Sequence, residues 1–169
     1  MTDFVKAEAG IRQLHARCAD AVWRKDAAAF GNCFTKDGEW RIAGMVMKGS
    51  DTIAERFSQI LSGFDRVLMT FRTPILEVDS GIASGRTYVT EQSAFADGTR
   101  ALAISTYYER FVEEGDRWLF SWRLFQLHYM GPADLSGTWF DNVDYGAPPA
   151  MPALDAMSPD HSGLGKRNG

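Results

Sequence analysis

The sequence is poor in the features that mark disulfide-stapled, nucleic-acid-binding or membrane-spanning proteins. It holds only two cysteines, Cys18 and Cys33, too few for a disulfide framework and without the Cys-x-x-Cys spacing of a metal site. Both fall in a helical pattern among apolar neighbours, and reduced thiols of this kind point to a cytoplasmic protein. Lysine and arginine never run longer than a pair and the net charge is −4, which argues against a surface that tracks phosphates. No apolar stretch approaches the roughly 20 residues needed to span a bilayer. The segment Met1–Glu8 lacks the basic start and apolar run of a secretory signal. The three histidines, His15, His128 and His161, are scattered, and three separate imidazoles make no metal set. His15 sits one residue off the apolar helix stripe, and each histidine reads as structural. Gly163-Leu164-Gly165-Lys166 has the outline of a phosphate loop, but Arg167 stands where Ser or Thr is needed. Neither a metal nor a cofactor is expected.

What is present is an ordinary globular composition, with 45% apolar and 24% charged residues in a chain of 169, enough for one domain with a proper core. Ile11, Leu14, Cys18 and Val22 recur at helical spacing. Asp26 can cap a short second helix carrying Phe30, Cys33 and Phe34. A short strand over Glu39–Ala43 follows, then a third helix from Ser50 with Ile53, Phe57, Ile60 and Leu61 on its buried face. The period then changes to two. Strands near Val67–Val78, Arg86–Phe95, Leu102–Val112 and Trp118–Tyr129 are separated by Asp/Gly turns, a hairpin meander. Helices first and strands afterwards make an α+β fold. The domain is expected over 1–132. Five of the six prolines lie beyond Gly131, so 133–169 reads as an irregular tail, packed in its first part through Trp139, Phe140 and Tyr145 and frayed at its end.

Strand parity sorts the meander into faces. Thr87, Val89, Glu91, Ser93 and Phe95 form the less polar set of their strand and are placed inward, with Ala103, Ser105 and Tyr107. In the last strand Ser121, Arg123, Phe125 and Leu127 are placed inward. Small inward residues leave space and point to a cavity. Trp118, Phe120 and Trp122 then share the opposite face, an apolar patch that predicts a homodimer contact.

Several pieces together resemble the nuclear transport factor 2-like superfamily in its SnoaL-like branch, which includes polyketide cyclases, scytalone dehydratase and hexachlorocyclohexane dehydrochlorinase. They are Ile11-Arg12-Gln13-Leu14, Asp37-Gly38-Glu39-Trp40, Ile75-Leu76-Glu77-Val78-Asp79, Gly85-Arg86-Thr87-Tyr88 and Gly115-Asp116-Arg117-Trp118 running on to Arg123. The resemblance implies a cone-shaped, curved antiparallel sheet whose N-terminal helices enclose a pocket. It does not fix a reaction, because one fold hosts many functions. The family's proton-transfer pair is missing: Trp23 stands where dehydratase-like members place an Asp, and Met69 where they place a His. Cys18 replaces a frequent Tyr, and Ile42 or Ala43 an Asp of the isomerase-like members. Arg123 matches the pocket arginine of the dehydrochlorinase-like members.

Three residues are therefore candidates for chemistry. Arg123 could hold a carboxylate or developing oxyanion, or it could form an internal ion pair with Glu91. Glu91 could be raised by desolvation into the general acid/base range, or lowered by that pairing. Tyr107 could donate to a bound carbonyl, or be a buried structural tyrosine. Cys18, Trp23, Trp40, Met69, Val89, Ser105 and Phe125 are candidate pocket lining. The expected ligand is a small apolar molecule, such as an aromatic or polycyclic compound, and any reaction is cofactor-free lyase, isomerase or cyclase chemistry. The alternatives are a non-catalytic binding protein, or a structural subunit like the small subunits of ring-hydroxylating dioxygenases.

Overall fold

The structure is a computed structural model that describes residues 3–140, 145–148, 150 and 151. Helix α1 (Phe4–Arg24) is capped by Asp3, whose carboxylate accepts from Val5 N, and ends at Lys25 in the left-handed region. Its buried stripe is Ala7, Ile11, Leu14, His15, Cys18, Ala21 and Val22. His15 is thus on the stripe rather than beside it, because a core-facing helix buries a band broad enough to hold both i+3 and i+4 neighbours of Ile11.

Asp26 caps α2 (Ala27–Gly31), accepting from Ala29 N at 2.9 Å. This helix is shorter than expected: Phe34 already begins β1 (Phe34–Ile42). A hairpin with β2 (Met45–Lys48) leads to α3 (Ser50–Leu61). Gly49, at φ 88°, precedes that helix without a side-chain cap.

The expected strand Val67–Val78 is two strands, β3 (Phe64–Phe71) and β4 (Ile75–Asp79). Pro74 lies in the break, where it can donate no ladder hydrogen bond. Both pieces pair with β5 (Ile82–Phe95), β4 along Ile82–Arg86 and β3 along Val89–Phe95. Strands β6 (Arg100–Glu114) and β7 (Arg117–Gly131) complete the meander, and β8 (Thr138–Trp139) adds to β7. The eight-stranded sheet runs β2-β1-β7-β6-β5-β3. It is mixed rather than wholly antiparallel, since β1 pairs parallel with β7. The three helices and this open sheet make an α+β fold. Among the described residues no helix is long and apolar enough to cross a membrane.

Two irregularities in β7 set what faces the core. Arg110 pairs with Trp122 and Phe111 with Phe120, so Ser121 is an extra residue in β7; a second shift leaves His128 extra between Tyr129 and Leu127. A bulge of this kind changes which side chains point to which face. Trp118 and Phe120 therefore join Arg123, Phe125 and Leu127 on the inner side, where they belong to the main core. Only Trp122 of the expected dimer trio lies on the outer side. There it packs with Tyr108 and Leu124, against Tyr145 and Met151 of the tail. All three side chains are buried within the chain, so the outer aromatic face read from simple alternation is not formed. The expected frayed end and His161 lie outside the described residues.

Candidate functional site

The inner side of the sheet, α1 and α3 enclose a cavity of about 50 Å³. Five of the candidate residues line it: Trp40, Met69, Glu91, Tyr107 and Phe125. Phe57, Ile60 and Leu61, the buried face of α3, form the helical wall. Its i, i+3, i+4 spacing was visible in the sequence, but nothing there said that it faced empty space. The remaining candidates lie elsewhere. Cys18, Val89 and Ser105 are packed in the core without lining the cavity. Trp23 is half-exposed, with the Arg66 guanidinium 5.9 Å from its ring centroid. The α1 turn that carries Trp23 presents it to solvent, while Val22 takes the position against the cavity.

Glu91 is opposite Met69 on β3 and Ala103 on β6. Apart from Glu91, Ser93 and Tyr107 the lining is apolar or aromatic, and the Trp40 Nε1 is buried without a hydrogen-bond partner. Among the described residues the Glu91 carboxyl has no hydrogen-bond or ion-pair partner. Burial pushes it up to about 7, and the Arg123 charge offsets this only in part.

Arg123 does not pair with Glu91. Its partner is Glu109: Nε donates to Oε1 at 2.9 Å, and Nη2 lies 2.9 Å from the same oxygen. The other carboxylate oxygen accepts from Thr87 Oγ1 at 2.7 Å and meets His15 Nε2 at 2.9 Å. Arg123 and Glu109 are both completely buried. Burial alone would raise the Glu109 carboxyl, but His15, Arg123 and the Thr87 hydrogen bond hold it below the usual carboxylate range. The guanidinium lies 3.6 Å from the Tyr107 ring centroid and 4.1 Å from that of Phe120, and it is not part of the cavity wall. Glu109 was the residue that sequence reasoning missed. The alternation that puts Tyr107 inside puts Glu109 there too, two residues on.

Burial raises the Tyr107 hydroxyl above its ordinary value despite Arg123, so it is a neutral donor. Cys18 lies 3.5 Å from Arg123 Nη1. A hydrogen bond from Cys33 and the Arg123 charge hold its thiol below the usual value against burial, while Cys33 is raised. Among the described residues no group of three or more His, Cys, Asp or Glu side chains is arranged to hold a metal ion.

A helix-lined, curved sheet with a cavity on its concave side places the chain among the nuclear transport factor 2-like and cystatin-like α+β folds. The sequence matches the SnoaL-like domain over residues 3–123, and the chain belongs to that family. Its structure is similar to a hexachlorocyclohexane dehydrochlorinase, LinA type 2, with a TM-score of 0.70 at 19% identity over 81% of this chain and 94% of that one. It is also similar to a scytalone dehydratase-like protein of Novosphingobium aromaticivorans, with a TM-score of 0.70 at 14% identity over 75% of this chain and 87% of that one. A protein of unknown function with a cystatin-like fold from Nostoc punctiforme has a TM-score of 0.62 at 18% identity, over 71% and 90%. At these identities the likeness is one of fold. A comparison with curated proteins gives no match.

Proposed function

We propose that the cavity binds a small, neutral, apolar molecule and that Glu91 moves a proton on it, the first step of cofactor-free lyase, isomerase or cyclase chemistry. The observation that carries this reading is the Glu91 carboxyl, unpaired among the described residues, on the wall of a largely apolar cavity. A base with a value of about 7 is half-ionised near neutrality, where general-base catalysis is most effective. In this reading the carboxylate takes a proton from the carbon next to a carbonyl, and the electron pair moves onto the carbonyl oxygen. Tyr107 lines the same cavity as Glu91, and in this reading their side chains converge on neighbouring atoms of the ligand, the Tyr107 hydroxyl donating to the developing oxyanion. Arg123 is a positioning residue here: its charge lies against the Tyr107 ring and favours negative charge beyond it.

A cavity of about 50 Å³ admits a ring only if its helical wall moves outward, so the reading requires that opening; the test is α-proton exchange of 1-indanone in deuterated water, followed by NMR. The protein should accelerate exchange by about 100-fold or more, and folded Glu91→Gln should not. The second reading, a non-catalytic binding protein, is favoured by Trp23 and Met69 standing where the family resemblance places Asp and His. It predicts that 1-indanone binds without exchanging, with the same affinity in Glu91→Gln. The structural-subunit reading predicts no binding at all and a stable hetero-complex.

A further inference from the structure

A second concavity lies outside the cavity, where α1 meets the end of β3. Its volume is about 280 Å³, and its walls include Arg12, His15, Ala16 and Ala19 from α1. These four recur at i, i+3, i+4 and i+7, so they form one stripe of the helix. Met69, Phe71, Arg72 and Thr73 supply the facing wall, and no acidic residue lines the cleft. Arg12 and Arg72 are exposed and neither has an ion pair among the described residues. Two arginines without an ion pair lining one concavity are unexpected in a chain of net charge −4.

The floor adds a second observation. His15 is only 3% exposed and stacks on Phe71 with ring centroids 4.7 Å apart. Its Nε2 is committed to Glu109, whereas its Nδ1 is buried without a hydrogen-bond partner. That nitrogen is itself closed off from solvent, so it leaves an unsatisfied polar group beneath the cleft, and a small shift of the His15 ring would be needed for a ligand or its water to restore the hydrogen bond. The alanines at 16 and 19 keep the helical wall low, while Phe71 and Met69 offer a flat apolar surface.

We propose that this cleft is a binding site for a small organic acid, an aryl or similarly flat carboxylate. The carboxylate lies between Arg12 and Arg72, which present planar donors suited to it. The apolar body lies on Phe71 and against Met69. Because Met69 also lines the inner cavity, an occupant of the cleft touches the partition between the two spaces. The site does not depend on Glu91 or on any reaction inside the cavity.

The test is titration with benzoate, read by NMR at the His15 ring and the Met69 and Ala103 methyl groups. Ala103 lines only the inner cavity and His15 only the cleft. Saturable shifts at His15 and Met69, with Ala103 unmoved, are expected. Arg12→Ala/Arg72→Ala, both exposed positions, should weaken binding about tenfold or more. Added salt should weaken it too, and benzyl alcohol, the neutral counterpart, should bind far less tightly. No saturable shift at millimolar benzoate would overturn the proposal. So would shifts at Ala103 without His15, equal binding of benzyl alcohol, or unchanged affinity in the double variant.

Discussion

Arg123 and Glu109 form an ion pair in which neither side chain reaches solvent, Nε to Oε1 at 2.9 Å. Two charges are removed from water here, and their attraction compensates only because Thr87 and His15 satisfy the carboxylate's other oxygen. The pair also decides the state of the cavity. With Arg123 held by Glu109, Glu91 is left without a counter-charge in contact.

Breaking the pair from one side strands a buried charge. Arg123→Met and Glu109→Gln should each cost on the order of 3–5 kcal/mol in urea unfolding. The double variant should cost less than the sum of the two, because nothing charged is then left alone. Additive costs would mean that the two groups are not coupled.

Glu91 and Glu109 should affect stability in opposite directions with pH. Glu109 is held below its usual value, so its stabilising contribution is present above the unfolded value of 4.5 and fades as pH falls through the folded one. Glu91 is raised from 4.5 to about 7. The folded state therefore holds a proton that the unfolded state releases, and stability declines between those two values as pH rises. Glu91→Gln should accordingly be more stable than the parent at pH 8, by on the order of 3 kcal/mol at most. That advantage should vanish below the lower value, as thermal unfolding across pH would show.

The seating of α1 on the sheet rests on a bare glycine. A Cβ built on Gly10 would stand 2.5 Å from Trp118 Cδ1. The indole is 3% exposed and has little room to retreat. Gly10→Ala should therefore destabilise by about 1–3 kcal/mol, although alanine is the better helix former. A stabilised variant would mean that Trp118 does not occupy the core.

Filling the cavity should separate binding from stability. Ala103 is buried and lines the space of about 50 Å³, which can accept two more methyl groups. Ala103→Val should change stability by less than about 1.5 kcal/mol. It should reduce 1-indanone exchange or binding about tenfold, measured by the NMR assay above.

The order of helices and strands was legible because periodicity and turn chemistry act locally. Ile11, Leu14, Cys18 and Val22 mark α1, and the Asp/Gly turns separate β5, β6 and β7. Pro74 was equally visible, and its missing N–H divides the strand expected around it. The bulge at Ser121 was not legible. It inserts one residue into an apolar run in which either alternation looks plausible, so Trp118 and Phe120 were assigned to the outside. The site was readable only in part for a related reason. Parity can say that Glu91, Tyr107, Glu109 and Arg123 share a side of the sheet. It cannot say which carboxylate the arginine meets, because that depends on strand register and on His15 arriving from α1.

The account rests most heavily on the Glu91 carboxyl, and its titration can be followed directly by carbon-13 NMR of the labelled side chain. A midpoint near 7 is predicted, moving toward the ordinary carboxylate range if Trp40 or Phe125 is replaced by a polar residue that admits water. A midpoint already in the ordinary range in the unaltered protein would mean that Glu91 is solvated or paired, and would contradict the proton-transfer reading.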